Sequence, residues 1–184
     1  MTRMTTAVLK HLKRLLKRED GNAVVEFAIL FPIFLSVFLS SFEMGILMIR
    51  QVSLERAVDT AVRKLRLGQI PNPTQEKLRN MICSQASILP DCQDTLLIEL
   101  RPVSTVTWQP LSSDTTCKNR NISINLTPPE DFFNAGGSSE MVLVRVCAVF
   151  QPIFPTTKMG MSLKRDELGG YAIVASSAFV NEPL

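Results

Sequence analysis

Side chains able to do chemistry are few in this sequence and unevenly placed. Four cysteines, Cys83, Cys92, Cys117 and Cys147, all follow a long apolar segment, and none stands in a Cys-x-x-Cys pair. An even count with that spacing points to disulfides made in an oxidising compartment, rather than to buried free thiols or a redox centre. Four cysteines allow about three connectivities and the spacing does not choose among them. The arrangement we expect joins Cys83 to Cys92 around Pro90 and leaves Cys117 for Cys147. A metal site is a poor alternative, because the single histidine, His11, precedes the apolar segment. For the same reason a Ser-His-Asp or Cys-His nucleophile cannot be assembled after that segment. No Gly-x-Ser-x-Gly, phosphate loop or dinucleotide fingerprint is present either. We therefore expect neither an enzyme nor a cofactor-binding protein. The adjacent acids Glu130-Asp131 and Asp166-Glu167 read as solvated loop charges.

The second chemical feature is a pair of carboxylates inside hydrocarbon-like sequence. From Ala23 to Ile49 the only charges are Glu26 and Glu43, and the 16 residues between them, Phe27 to Phe42, carry none. With its apolar flanks this run is long enough to cross a membrane. It lacks the short apolar region and small-x-small site of a cleaved secretory signal. An ionised carboxyl at the centre of a bilayer costs roughly 2.5 to 3.5 kcal/mol on insertion scales, so each glutamate should lie near a membrane face or have a partner. Glu26, at the head of the run, can reach water by snorkelling. Glu43 stands about 26 Å further along a helix and reads as an exposed interfacial acid near the outer headgroups. Pro32 withholds one backbone donor and should kink the helix or loosen the turn at Ala28.

The elements that hold these residues follow from charge and periodicity. Six basic against two acidic side chains give the first 21 residues +4, so the rest of the chain, at −1 within a net +3, offers no basic surface for nucleic acid. The cluster KHLKRLLKR, at 10–18, should keep the N-terminus in the cytoplasm. It is a solvated tail or, with Leu9, Leu12, Leu15 and Leu16, an amphipathic surface helix. Arg50, Arg56, Arg63, Lys64 and Arg66 after the span oppose this orientation, and the cysteines decide for it. Leu47, Leu54, Val58, Ala61, Val62 and Leu65 form one apolar stripe at helical spacing, which carries the helix to about Leu67, ahead of Gly68, Pro71 and Pro73. Asn22 to Leu67 is a rod of roughly 69 Å, of which residues 23–49 span the membrane and the remainder presents its stripe to a domain.

Residues 68–184 should form that domain. A short helix is expected from Thr74 to about Ser87. Strands are expected over Thr95–Val103, Ser104–Gln109, Asn121–Leu126, Met141–Phe150 and Tyr171–Val180, the fourth buried mainly on one side. Loops are expected over Ser112–Arg120, Thr127–Ser139 and Gln151–Gly170. Trp108 and Phe132-Phe133 read as core or loop packing, with binding anchors as the alternative. The fold class is α+β, with a long N-terminal transmembrane helix packed on a small antiparallel sheet.

The segment Gly21-Asn22-Ala23-Val24-Val25-Glu26-Phe27 resembles the cleavage site of type IV prepilins. That resemblance implies cutting after Gly21 by a prepilin peptidase, a mature chain beginning at Asn22, and a bacterial inner-membrane protein whose C-terminal domain is periplasmic. The wider stretch GNAVVEFAILFPIFLSVFLSSFEMG, including Pro32, Glu43 and Gly45, looks like the TadE-like proteins of tight-adherence (Tad) pilus systems. SEMVLVRVCAVFQPIFP is similar to C-terminal sequence in some of them. The sequons at Asn121 and Asn125 are then chance matches. In the family, Glu26 pairs during assembly with the new amine of Asn22, in its own or a neighbouring subunit, beside Phe27. Pro32 reads either as an ordinary membrane proline or as a point at which the helix melts on extraction from the membrane. The resemblance implies other pilins and Tad assembly proteins as partners, and a minor pilin or pseudopilin rather than the abundant, much shorter pilin. Its roles would be assembly, initiation, tip display or surface adhesion. A single-pass anchored binding protein that never enters a filament is the competing expectation.

Overall fold

The computed structural model describes residues 22–108, 117, 132–155 and 170–182. The leader, the expected strand Asn121–Leu126 and most of the expected loops lie outside the described residues. Six elements follow in chain order: α1 (Asn22–Arg66), α2 (Gln75–Gln85), α3 (Cys92–Thr95), β1 (Leu96–Val103), β2 (Met141–Phe150) and β3 (Tyr171–Val180).

Helix α1 runs for 45 residues, about 68 Å at about 1.5 Å per residue, and contains Pro32 without a break in the helical assignment. It stops where the sequence supplies a stop. Gly68 takes φ 62°, and the amides of Gly68 and Gln69 donate to the carbonyls of Leu65 and Lys64 at 3.0 Å each. This pair of bonds is a Schellman motif, which satisfies two orphan carbonyls at the helix end. In α2 the Thr74 hydroxyl accepts from the Lys77 amide and caps the N-terminus.

The three strands form an antiparallel sheet in the order β1-β2-β3. Leu96 faces Ala148 across one ladder, and Cys147 faces Val174 across the other. The distal half of α1 lies against β3 and α2, so the architecture is a long apolar helix packed on a three-stranded sheet, an α+β pilin-like arrangement. One core joins Leu54, Val58, Ala61 and Leu65 of α1 to Leu78 and Ile82 of α2. The sheet contributes Ile98, Leu100, Val144, Val146, Phe150, Ile173 and Phe179. Disulfides link Cys83 to Cys92, bracing α2 against α3, and Cys117 to Cys147, on the central strand.

Three expectations need correction. Residues Ser104–Trp108 are a turn rather than a strand: the Ser104 hydroxyl accepts from the Val106 and Thr107 amides, and the Trp108 amide donates to the Ser104 carbonyl. Serine's side chain offers these amides a local partner in place of a sheet ladder. Trp108, expected to pack, ends this turn at φ 56° and is 54% exposed. Phe132 is buried and Phe133 packs against the core. Strand β2 is also covered on both sides toward its end, since Cys147 and Val149 are buried along with Val146 and Ala148. A central strand tied to a second segment by a disulfide loses its solvent face there.

Candidate functional site

Helix α1 carries two groups of candidate residues, one at each end of its apolar half. At the head, Asn22 is the first residue of the helix and Glu26 follows it by one turn, on the same side. Glu26 is exposed. Phe27 is 63% exposed, and its ring stacks on Phe31 with centroids 5.1 Å apart. Gly21 lies outside the described residues. Val24, Ile29, Ile33, Phe34, Val37 and Phe38 are all more than half exposed. Among the described residues nothing buries the most apolar 18-residue window of the helix. A surface of this kind is stable only against lipid or other apolar helices. The hydroxyls of Ser36, Ser40 and Ser41 donate to the carbonyls of Ile33, Ser36 and Val37, so they expose no unused donor on that surface.

At the other end the structure departs from expectation. Glu43, read from the sequence as an exposed interfacial acid, is fully buried. Its carboxylate accepts from the Ile153 amide at 3.1 Å to each oxygen and from the Phe154 amide at 2.9 Å. Beside it the Phe42 ring meets Phe154 edge-on at 6.1 Å. Two turns further on, Arg50 is also buried; its Nη1 donates to the Tyr171 hydroxyl at 2.7 Å, and its guanidinium lies 5.3 Å from the centre of the Phe150 ring. Gln51 adds a bond from its amide to the Val174 carbonyl. The acid grips the segment leaving β2, and the base grips the start of β3.

Glu43 was read as solvent-exposed because it is charged, and Arg50 was weighed only for membrane orientation. The spacing carried the signal, because Glu43, Leu47, Arg50 and Leu54 follow one another at intervals of four, three and four, the period of a buried stripe. Gly45 is different. Among the described residues a Cβ placed there would meet no atom within 4 Å.

On the outer sheet face Glu99 is buried, 3.0 Å from Arg101 and 3.9 Å from Arg145, and Arg101 lies over the Phe132 ring. These are structural contacts that let the face close over a charge. Among the described residues no cluster of His, Cys, Asp or Glu is placed to hold a metal ion.

The apolar helix and the paired disulfides suit a membrane-anchored chain with an extracytoplasmic domain. Comparison with curated proteins and with solved structures gives no match. The family model described as TadE-like protein matches residues 21–63. That span begins at the glycine ahead of α1 and covers the exposed helix, Glu26, Pro32, Glu43 and Gly45. Over this long N-terminal helix, from residue 21 to residue 63, the chain is TadE-like.

Proposed function

We propose that the protein is a minor pilin or pseudopilin of a Tad-type pilus, held in the inner membrane by α1 until assembly machinery extracts it. The observation that carries this reading is the coincidence of the TadE-like match, starting at residue 21, with a helix whose apolar half the chain leaves uncovered. In this reading a prepilin peptidase cuts between Gly21 and Asn22, freeing an amine one turn before Glu26. A carboxylate and an ammonium one turn apart on a helix in low dielectric attract far more strongly than they would in water. The same pair, formed between neighbouring subunits, sets their axial register. Phe27 and the lipid-facing side chains behind it become the contact with adjacent pilin helices once lipid is left behind. Pro32, with no amide to return to Ala28, is where the helix most easily unwinds during that transfer. The domain then decorates or caps the fibre, where it supports initiation or surface adhesion.

N-terminal sequencing of the protein from its native membrane tests the reading. The expected first residue is Asn22. A Glu26→Ala variant should still be cut and still reside in the membrane, yet fail to enter or promote fibres. An uncut chain that supports normal fibres, with Glu26 dispensable, would leave only a tethered domain outside the cytoplasm.

A further inference from the structure

We infer that the segment Gln151–Pro155 is a membrane foot: Ile153 and Phe154, with Phe42 of α1, rest in the outer leaflet beside the exit point of the helix. The inference rests on the reading of α1 as the membrane anchor. It starts from the depth of Glu43. If Glu26 marks the inner edge of a hydrocarbon layer about 30 Å thick, the outer edge falls about 20 residues later at about 1.5 Å per residue, beyond Glu43. Glu43 then lies inside the boundary, where an unpartnered carboxylate is costly. It has partners, and they come from a loop of the folded domain, so that loop must reach the same depth.

The loop's own chemistry suits that place. Backbone N–H groups that meet hydrocarbon without an acceptor are strongly disfavoured, which is why irregular backbone is rarely found facing lipid. Across Pro152-Ile153-Phe154-Pro155 the two prolines have no N–H, and the other two amides both donate to Glu43. Four consecutive residues therefore present no free backbone donor. Their outward side chains are apolar: Ile153 is 45% exposed, and Phe42, against which Phe154 packs, is 52% exposed. Glu43 and the foot explain one another, since the acid removes the loop's donors and the loop removes the acid's need for water. The exposed patch is continuous with the uncovered helix surface below it, and a lipid surface is the occupant that this continuity selects.

Depth-dependent quenching of tryptophan tests the inference on the full chain. Trp108 is the single tryptophan, so a Trp108→Phe background allows one reporter at a time. Three variants in that background, Phe34→Trp, Ile153→Trp and the conservative Phe154→Trp, are reconstituted at high lipid-to-protein ratio in phosphatidylcholine/phosphatidylglycerol vesicles. Bromines are carried either near the headgroup or near the acyl terminus. The reporter at 34 should lose most of its emission to deep bromines. Those at 153 and 154 should lose theirs to shallow bromines and shift to shorter wavelength than Trp108 of the unaltered chain. Full quenching at 34 with none at either 153 or 154 overturns the foot and leaves the anchor standing; a foot that covers a neighbouring protein instead gives this result. Absence of quenching at 34 overturns the anchor and the foot together. Should Ile153→Trp fail to fold, Phe154→Trp decides alone.

Discussion

At Glu43 three donor-acceptor contacts converge on one carboxylate from two successive amides, 110 and 111 residues away in the chain. This is charge-assisted bonding to a fully buried group, and removing the acceptor takes that bond from both donors. Each orphaned buried N–H costs about 1 to 3 kcal/mol. Glu43→Ala should therefore destabilise the folded chain by a few kcal/mol and lower its Tm in detergent. The damage should be local as well: amide hydrogen exchange at Ile153 and Phe154 should rise well above that of β2, which keeps both ladders. Glu43→Gln keeps a carbonyl acceptor of nearly the same shape and should recover much of the lost protection. If the alanine variant exchanges no faster at 153 and 154 than the native chain, the acid does not hold that segment in solution.

Between elements, the junction of α1 with β3 rests on Arg50, a buried cation whose partners among the described residues are the Tyr171 hydroxyl and the Phe150 ring. Its Nε finds no acceptor there. A buried charge that is poorly matched adds little to stability, whereas stripping away its best partner is expensive. Tyr171→Phe should therefore cost about 1.5 to 3 kcal/mol, the value of a hydrogen bond to a charged group. Arg50→Met, which removes the charge and keeps much of the volume, should cost less. Paired denaturant titrations of the two variants check this order, and the reverse order would mean that the guanidinium contributes net stability.

The same junction marks what could be read in the sequence at this scale. Leu54, Val58, Ala61, Val62 and Leu65 announce the buried stripe because apolar residues at helical spacing have no other good use. Gly68 announces the stop, and the runs Met141–Phe150 and Tyr171–Val180 announce β2 and β3. The spacing of Glu43 and Arg50 with Leu47 and Leu54 put both on the buried stripe, but their partners were illegible because they come from more than a hundred residues away. Nothing near residue 43 tells that two amides will arrive there from 153 and 154. Residues 104–108 misled in the opposite way: β-branched composition suggested a strand, while a single serine hydroxyl made the turn. At the helix head, the stretch from Gly21 to Gly45 pointed to TadE-like proteins, and the family model matches there, since the apolar pattern of a long helix is written in local sequence.

Across the whole molecule, α1 serves two solvents, and the change of solvent falls between Glu43 and Arg50. Before Glu43 most of the side chains are exposed. Above it Leu54, Ala57, Val58 and Ala61 are at most 2% exposed and complete the core against α2 and the sheet. The sheet is thus unable to bury its own inner face, and a domain cut at residue 68 would lose one wall of that core. Deleting a buried Leu alone costs about 2 to 5 kcal/mol in typical cores, and a cut there removes several buried side chains together, against a total stability of about 5 to 15 kcal/mol. An exported chain beginning at residue 68 should therefore fail to fold. It should form mixed disulfides and be degraded, even though it keeps all four cysteines. A chain beginning at Glu43 retains the whole stripe and the acid that holds residues 153 and 154, and it has shed the uncovered apolar half. That version should be secreted as a monomer with Cys83–Cys92 and Cys117–Cys147 paired, as non-reducing peptide mapping would show. Equal folding of the two shortened chains in circular dichroism and in disulfide pairing would mean that the distal half of the helix is an ornament on an autonomous sheet. Folding of neither would mean that the membrane-facing half takes part in the fold that it leaves uncovered here.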